Sequence, residues 1–229
     1  MKNHDEAPVH PRRGWADKRI AITEGARTVF GREGYTRASI DSIAREAGVS
    51  TRTIYNHFQD KEHLFLAVIL ESATQVADAQ TALIALHLDQ ITDLEHDLVA
   101  FGCAWATSAT GFAEHFALVR QINVEVGHIP QDTLDGWQEA GPRRVRSELA
   151  RRLRQLADQG LLHLDDEDLA ASHFVLLAAT EVGNRSHYGA APLSEHEVTR
   201  IATAGVRAFL HGYLPPVAAG SEANEAARE

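Results

Sequence analysis

Apolar residues recur every three or four positions along most of the chain, and no segment keeps the two-residue alternation of a half-buried strand. Glycine and proline are few, whereas Ala, Leu, Glu and Arg, which favour or tolerate helices, recur throughout. The pattern predicts an all-α protein. We expect a small N-terminal domain of three helices over residues 18–63 and a larger helical domain over 64–213. A flexible arm (1–17) and a disordered tail (214–229) are expected to flank them.

The front of the chain has the start and stop signals of consecutive helices. Apolar positions from Asp17 onward predict a first helix that ends near Gly34, where a glycine suits a left-handed cap. Ser39 and Ser50 each precede a short segment of helical periodicity, and each is predicted to cap its first turn. Gly48 ends the first of these short helices and permits a tight turn into the second.

Two short helices joined by such a turn form a helix-turn-helix, whose second helix enters the major groove of DNA. Ile54 and Phe58 are expected to lock this second helix to the first, which leaves Arg52 and Thr53 facing outward. Arg52 is long enough for a bidentate contact to guanine, and threonine methyl groups suit thymine. The helix N-terminus at Ser39 offers amides to a backbone phosphate. The DNA-contacting residues predicted from the motif are Thr36, Arg37, Ser39, Ser50, Thr51, Arg52, Thr53, Tyr55, Asn56 and His57.

Simpler interpretations stay open for several of these residues. Ser39 and Ser50 also make sense as helix caps alone, Tyr55 as a partly buried ring and His57 as an ordinary surface side chain.

From Lys18 to Phe65 the sequence resembles the DNA-binding domain of the TetR family of transcriptional regulators. The resemblance rests on a succession of short motifs at matching spacings: Phe30, Gly34 and Tyr35, Ile43 and Ala44, Ala47 to Ser50, Ile54 and Tyr55, His57 and Phe58, and Lys61 and Glu62. Asn56 departs mildly from the family's pattern, at a position that bears on which DNA sequence is read. The resemblance implies a sequence-specific regulator of transcription, with Lys61 as a further contact to DNA phosphate.

The resemblance also implies how DNA binding is controlled. A homodimer would place two reading helices on a palindromic double-stranded operator, and a small-molecule effector in the larger domain would shift them through the long helix that starts at Lys61. The chain would then be a repressor that its effector releases from DNA. Because such pockets are mostly apolar with a few polar anchors, the predicted pocket residues are Phe101, Trp105, Phe112, Phe116, Asn123 and Trp137, with Glu125 and His128 as further anchors. The alternative for the aromatic residues is plain core packing.

Two helices near the C-terminus, predicted over about 166–188 and 195–213, have the broadest apolar faces of the chain. A helix pair with more apolar surface than one neighbour can cover favours self-association. The predicted dimer-interface residues are Phe174, Leu177, Ala178, Val198, Ala202, Gly205, Val206 and Phe209. The alternative is that these two helices only close the core of one subunit.

Charge is divided unevenly along the chain. The net charge of −10 combines +2 for residues 1–63 with −12 for the remainder, so the segment with the DNA-binding motif is also the less acidic one. Cys103 is the single cysteine, which excludes an intramolecular disulfide and suits a reducing compartment. We expect no signal peptide and no membrane-spanning run, and therefore a soluble, cytoplasmic protein.

Other function classes find less support in the sequence. The 13 histidines raise the alternative of a helical metal-dependent enzyme, but they are scattered and form no HExxH motif, so we expect no metal and no cofactor. A third alternative keeps the DNA-binding domain and makes the larger domain a protein-interaction module without a pocket. The arginines between Arg143 and Arg154 are expected to form a solvated helix surface, with a second nucleic-acid patch as the alternative.

Overall fold

The computed structural model describes residues 11–215, and every regular element in that range is a helix. This confirms the prediction of an all-α protein. The α-helices are α1 (Pro11–Glu33), α2 (Ile40–Glu46), α3 (Thr51–His57), α4 (Lys61–Leu88), α5 (Leu94–Thr107), α6 (Ala113–Glu125), α7 (Gln131–Gln138), α8 (Arg144–Asp158), α9 (Glu167–Val175), α10 (Glu181–Arg185) and α11 (Glu195–Tyr213). The shorter turns are 3₁₀ at Ser108–Phe112 and Val126–His128, and π-helical at Glu139–Arg143 and Leu176–Thr180.

The first helix begins at Pro11 rather than at Asp17, so the predicted flexible arm is wrong for residues 11–17. Proline is well placed at the first position of a helix, because an N–H there would have no partner within the helix. The rest of the predicted arm (1–10) and most of the predicted tail (216–229) lie outside the described residues.

The chain folds as two compact units that each draw on several segments. The first unit comprises the described residues up to Ala82 together with Thr107–Val145 and Gly183–Pro192. The second comprises Leu83–Ala106, Arg146–Val182 and the chain from Leu193 onward. The helix-turn-helix therefore shares a unit with α6 and α7, helices that the sequence pattern assigned to the larger domain.

The core of the first unit fixes the helix-turn-helix. Ile54 of α3 is fully buried in one cluster with Ile22 and Phe30 of α1 and Ile43 of α2. Phe65 of α4 joins the same cluster and meets the ring of Phe30 edge-on, with 4.8 Å between ring centroids. Full burial of one such side chain contributes about 1.5–3 kcal/mol, so α3 is held by tertiary packing rather than by its own short length.

The core of the second unit is built around three phenylalanines. Phe174 of α9 lies 5.2 Å from Phe101 of α5 and 5.3 Å from Phe209 of α11, measured between ring centroids. All three rings are fully buried. Stacked and edge-on ring pairs at these distances add to the burial of apolar area, and they bind α5, α9 and α11 together.

The predicted dimer-interface residues lie mostly inside this unit. The residues buried within a single chain are Phe174, Ala178, Val198, Ala202, Gly205, Val206 and Phe209. Side chains of the same chain already cover these seven, so they lie in the core of one subunit rather than on its surface. Leu177, the eighth, is exposed. The alternative that the two C-terminal helices close the core of one subunit therefore describes the seven buried residues.

The arginines of α8 and the turn before it are engaged with acidic side chains. Five of the six arginines from Arg143 to Arg154 form an ion pair, and most of these pairs are largely solvent-exposed. The pairs are Arg143–Glu139, Arg144–Asp78, Arg151–Glu148, Arg152–Asp89 and Arg154–Glu167. Such pairs contribute little stability, and they support the interpretation of a solvated surface.

Gly205 marks a close crossing of α11 over the π-helical turn. A Cβ atom at this position would lie 1.9 Å from the carbonyl oxygen of Leu177 and 2.8 Å from the Cα atom of Ala178. Both neighbours are backbone atoms, which cannot rotate away. The small residue that the sequence assigned to a contact between subunits therefore serves a contact within one.

We expect Gly205→Ala to lower the free energy of unfolding by about 3 kcal/mol, because α11 must move away from the turn to admit the methyl group. Gly212→Ala is the matched control on the same helix, since its added Cβ meets nothing within 4 Å. The control should leave stability unchanged or raise it by up to about 1 kcal/mol. Urea unfolding at one fixed protein concentration measures both, and equal stability of the two variants would contradict the close crossing.

Candidate nucleic-acid interface

Serine side chains cap the two helices of the motif, as predicted. At the start of α2, Ser39 Oγ accepts from the amide of Ser42 at 3.0 Å, and the Ser42 hydroxyl accepts from the amide of Ser39 at 3.1 Å. At the start of α3, Ser50 Oγ accepts from the amide of Thr53 at 3.1 Å. Between the helices, Gly48 has a φ of 65°, a left-handed conformation that glycine adopts without strain.

Burial divides α3 into an inner and an outer side. Ile54 and Phe58 are buried, as predicted, and join the core of the first unit. Arg52 is exposed, and Thr51 and Thr53 are half-buried. The N-terminal turn of α3 therefore presents a long cationic side chain away from the core, as base reading requires.

The polar side chains on the outer side of α3 differ in whether their hydrogen-bonding groups are already engaged within the protein. Ser50 Oγ lies 2.8 Å from Thr53 Oγ1, so the hydroxyl of Thr53 is engaged within the turn. Tyr55 and Asn56 are both exposed, which removes the alternative of a partly buried Tyr55. Contacts of these side chains with DNA stay predictions.

His57 is placed differently from the prediction. Its ring stacks on the ring of Trp15 with 3.8 Å between centroids, and its two ring nitrogens are buried without a hydrogen-bond partner. Burial lowers the pKa of His57, and the positive charges of Arg19 and Lys18 lower it further. In this structure neither ring nitrogen reaches the surface, so the predicted DNA contact of His57 has no exposed polar atom.

Trp15 is a residue of this site that the sequence pattern missed, because it falls in the segment predicted to be a flexible arm. The start of α1 packs on the end of α3 through Trp15 and also through Arg19, whose guanidinium carbon lies 4.4 Å from the centroid of the Phe58 ring. This packing brings the charges of Arg19 and Lys18 beside the reading helix. The available signal was a tryptophan in an otherwise polar segment.

Lys61 is bonded to the loop between α1 and α2. Its Nζ donates to the carbonyl oxygens of Tyr35 at 3.0 Å, Ala38 at 3.2 Å and Thr36 at 3.4 Å. A lysine ammonium group has three N–H donors, and in this structure all of them have a carbonyl partner. The side chains of Thr36 and Arg37 lie exposed on the same loop.

The predicted pocket residues are divided between the two units. In the second unit, the fully buried ring of Phe101 contacts Phe174 and lies 5.5 Å from the half-buried ring of Trp105, measured between centroids. Phe101 therefore packs as a core residue, which was the alternative to a pocket role. A pocket role for Trp105 stays a prediction.

In the first unit, Phe112 and Phe116 are half-buried, and the ring of Phe116 stacks on Tyr188 with 6.5 Å between centroids. Trp137 packs against the core of the unit with its indole Nε1 buried and without a hydrogen-bond partner. Asn123 is exposed. The unpartnered indole N–H makes Trp137 the member of this group with an unmet polar requirement.

One buried polar pair of the first unit was not predicted. His115 Nδ1 of α6 lies 2.9 Å from Ser72 Oγ of α4, and Ser72 is buried. Burial lowers the pKa of His115 to about 4, with a smaller contribution from the charge of Arg27. Of the two histidines in α6 and just after it, His115 is thus the one that lies partly inside the unit, whereas His128 is exposed. Nothing in the local sequence distinguishes the two, because the burial of His115 depends on the distant helix α4.

An outward-facing reading helix, capped by serine and anchored on an all-helical body, defines a DNA-binding regulator. Residues 22–68 match the family described as bacterial regulatory proteins, tetR family, and residues 98–215 match the C-terminal domain of AefR-like transcriptional repressors. The chain therefore belongs to the TetR family.

Solved structures show the same fold over most of the chain. A protein from Mesorhizobium loti described as a TetR-family transcriptional regulator is 31% identical, with a TM-score of 0.76, and the match covers 88% of this chain and 98% of that one. The flavonoid-responsive regulator FrrA is 25% identical, with a TM-score of 0.69, and the match covers 88% of this chain and all of that one, 100%.

Curated relatives match over a shorter stretch. The transcriptional repressor AcnR of Corynebacterium diphtheriae is 37% identical over 86 residues, which are 36% of this chain and 45% of AcnR. The transcriptional regulator UidR of Escherichia coli is 31% identical over 90 residues, which are 37% of this chain and 45% of UidR. The chain thus spans less than half the length of either relative.

Membership of a family of regulatory proteins confirms that the chain is a regulator and not an enzyme. Over the described range 11–215, no three or more His, Cys, Asp and Glu side chains are grouped so that they could hold a metal ion. The helices of that range include none with the length and apolar character needed to cross a membrane.

The partly buried His115 makes the free energy of unfolding depend on pH. An unfolded chain takes up the proton near the ordinary pKa of 6.5, whereas the folded chain resists it down to about pH 4. Stability is therefore full above pH 6.5 and falls as the pH drops through this window, by about 2 kcal/mol between about pH 7.5 and pH 5. His115→Asn keeps a polar partner for Ser72 without a titrating ring, and urea unfolding at both pH values should show a smaller loss for it. An equal loss in both proteins would contradict the assignment.

Proposed function

We propose that the chain is a homodimeric transcriptional repressor that reads a palindromic operator and leaves it when a small molecule binds its larger domain. The observation that carries the proposal is the geometry of α3, in which Ile54 and Phe58 anchor the inner side and Arg52 stands exposed on the outer side. Residues in the first turn of such a helix meet base edges in the major groove. We infer from this role that the protein acts in the cytoplasm, where bacterial DNA lies.

The names of related proteins support repression and a small-molecule effector. AcnR is named a repressor, and the family matched by residues 98–215 is described as repressors. FrrA is described as flavonoid-responsive. For this chain we infer an effector with a large apolar surface, because the candidate residues of the first unit are the aromatic side chains Phe112, Phe116 and Trp137.

A second copy of the chain fits a different surface from the one predicted. Leu169, Leu176 and Leu177 are 50%, 57% and 42% exposed, and they lie seven and eight residues apart along α9 and its π-helical turn. Residues at this spacing share one side of a helix. Ala204 and Ala208 are exposed on α11, which packs against the same turn. We infer that these leucines and alanines, rather than the buried residues, form the contact between subunits.

The function is tested first by selection of duplexes from a random pool. We expect an inverted repeat whose half-sites lie about 34–36 Å apart, or a multiple of that distance. With the selected duplex, Arg52→Ala should cost about 1–3 kcal/mol of binding free energy and should relax selectivity at one base pair of each half-site. On a random duplex the loss should be smaller, because only the phosphate contacts remain.

Arg32→Ala is the matched control, because it removes the same charge from the same unit. Arg32 is paired with Glu33 and Glu46 and lies at the end of α1, so the control should bind the selected duplex as the unmodified chain does. Equal losses for Arg52→Ala on the selected and the random duplex, or no enrichment of any duplex, would contradict the proposal.

The dimer surface is tested by Leu176→Glu. A carboxylate at the centre of an apolar contact must be desolvated, so we expect the variant to sediment as a monomer and to lose affinity for the selected duplex. Leu86→Glu is the control, since Leu86 is 77% exposed in the same unit but lies on α4. Analytical ultracentrifugation separates the outcomes, and a dimeric Leu176→Glu protein would rule this surface out.

A further inference from the structure

Two side chains of opposite charge, from two different helices, form hydrogen bonds with the backbone of the loop between α1 and α2. Lys61, the first residue of α4, donates to three carbonyl oxygens of the loop, those of Tyr35, Thr36 and Ala38. Glu125, the last residue of α6, accepts from the backbone amide of Thr36 through Oε2 at 3.1 Å. The ammonium group thus satisfies carbonyl oxygens of the loop, and the carboxylate satisfies one of its amide N–H groups.

Both charges stand at the unfavourable end of their own helix. The N-terminus of a helix carries a partial positive charge and the C-terminus a partial negative one, so a lysine that begins α4 and a glutamate that ends α6 each oppose the local dipole. Neither placement is explained by the stability of its helix. Both are explained by the loop, whose carbonyl and amide dipoles compensate the two charges.

The start of the loop also lies against side chains of α6. Gly34 has a φ of 83°, and a Cβ there would lie 3.0 Å from Gln121 Oε1 and from both carboxylate oxygens of Glu125. One turn earlier, a Cβ on Gly31 would lie 3.4 Å from the Cβ of Ala117. The end of α1 and the start of the loop therefore pack against α6, through side-chain ends at Gly34 and an ordinary van der Waals contact at Gly31.

The loop leads directly into the DNA-facing part of the motif. Ala38 is buried, and the next residue, Ser39, caps α2, whose N-terminus is the candidate phosphate contact. Thr36 belongs to the family match at 22–68 and Glu125 to the match at 98–215. The hydrogen bond between them therefore joins the reading segment to the C-terminal segment.

We propose that Lys61 and Glu125 are positioning residues that hold the loop from Tyr35 to Ala38 as a clamp and so set the orientation of α2, the first helix of the helix-turn-helix. A displacement of α6 reaches α2 through the bond from Glu125 to Thr36. The inference rests on the proposed function as a DNA-binding regulator. It assigns to Lys61 a structural partner, the loop carbonyls, in place of the phosphate contact that the resemblance implied, and it assigns Glu125 to the motif rather than to an effector pocket.

The clamp is tested first on the DNA-free protein, by hydrogen exchange of the peptide that covers the loop. We expect exchange about tenfold faster in Glu125→Ala and in Lys61→Met, because each variant releases one side of the loop. Glu125→Gln keeps an acceptor oxygen and should exchange nearly as the unmodified chain does. Glu114→Ala is the control on the same helix, and peptides of α8 report any global loss of stability. Unchanged exchange of the loop in Glu125→Ala and Lys61→Met overturns the clamp, whether or not the protein binds DNA.

The second measurement is affinity for the selected duplex as a function of salt concentration. A lost phosphate contact reduces the slope of log affinity against log salt by about 0.9, whereas a lost positioning contact lowers affinity at an unchanged slope. We expect Lys61→Met and Glu125→Ala to bind about tenfold more weakly with the slope unchanged. A reduced slope for Lys61→Met shows a phosphate contact and overturns the role of Lys61. Tighter binding by Glu125→Ala shows that its carboxylate competes with phosphate and overturns the role of Glu125.

Discussion

The burial of Ile54 and Phe58 against α1, α2 and α4 is the constraint on which the rest of the interface depends. Helix α3 has seven residues, too few to be stable alone in water. Its orientation is therefore fixed by the packing of Ile54 and Phe58, and this orientation leaves Arg52 exposed. The serine caps supply hydrogen-bond partners for the first amides of each helix, but packing in the core determines which face of α3 is exposed.

Around this core, two charged side chains destabilise the helices that carry them and stabilise the loop of the assembled motif. Lys61 and Glu125 each oppose the dipole of the helix that carries them, and each finds its compensation in the backbone of the loop after α1. Local rules tend to be broken at functional positions and satisfied elsewhere in the fold. The arginines of α8 differ from these two residues, because they pair with acidic side chains near the surface and do not depend on a loop backbone for compensation.

The sequence predicted those features that depend on neighbours a few residues apart. The caps at Ser39 and Ser50, the turn at Gly48 and the inner face of α3 all follow from short-range spacing. Features that depend on distant partners were predicted wrongly or missed. Gly205 is small because of Leu177 in the same chain rather than a second subunit, Phe101 is covered by Phe174, and His115 is buried by α4. Periodicity identifies an apolar or small residue, but it does not identify which surface covers it.

The stacking of Trp15 on His57 affects how DNA affinity would depend on pH. Histidine is the side chain whose charge ordinarily changes near neutral pH, and an exposed one beside a polyanion would tie affinity to small changes in cellular proton concentration. Here burial against the neighbouring indole lowers the pKa of the imidazole, as do the charges of Arg19 and Lys18, and both effects favour its neutral form. In the proposed interface, the charge that faces DNA is that of a guanidinium group, which stays charged throughout the physiological range.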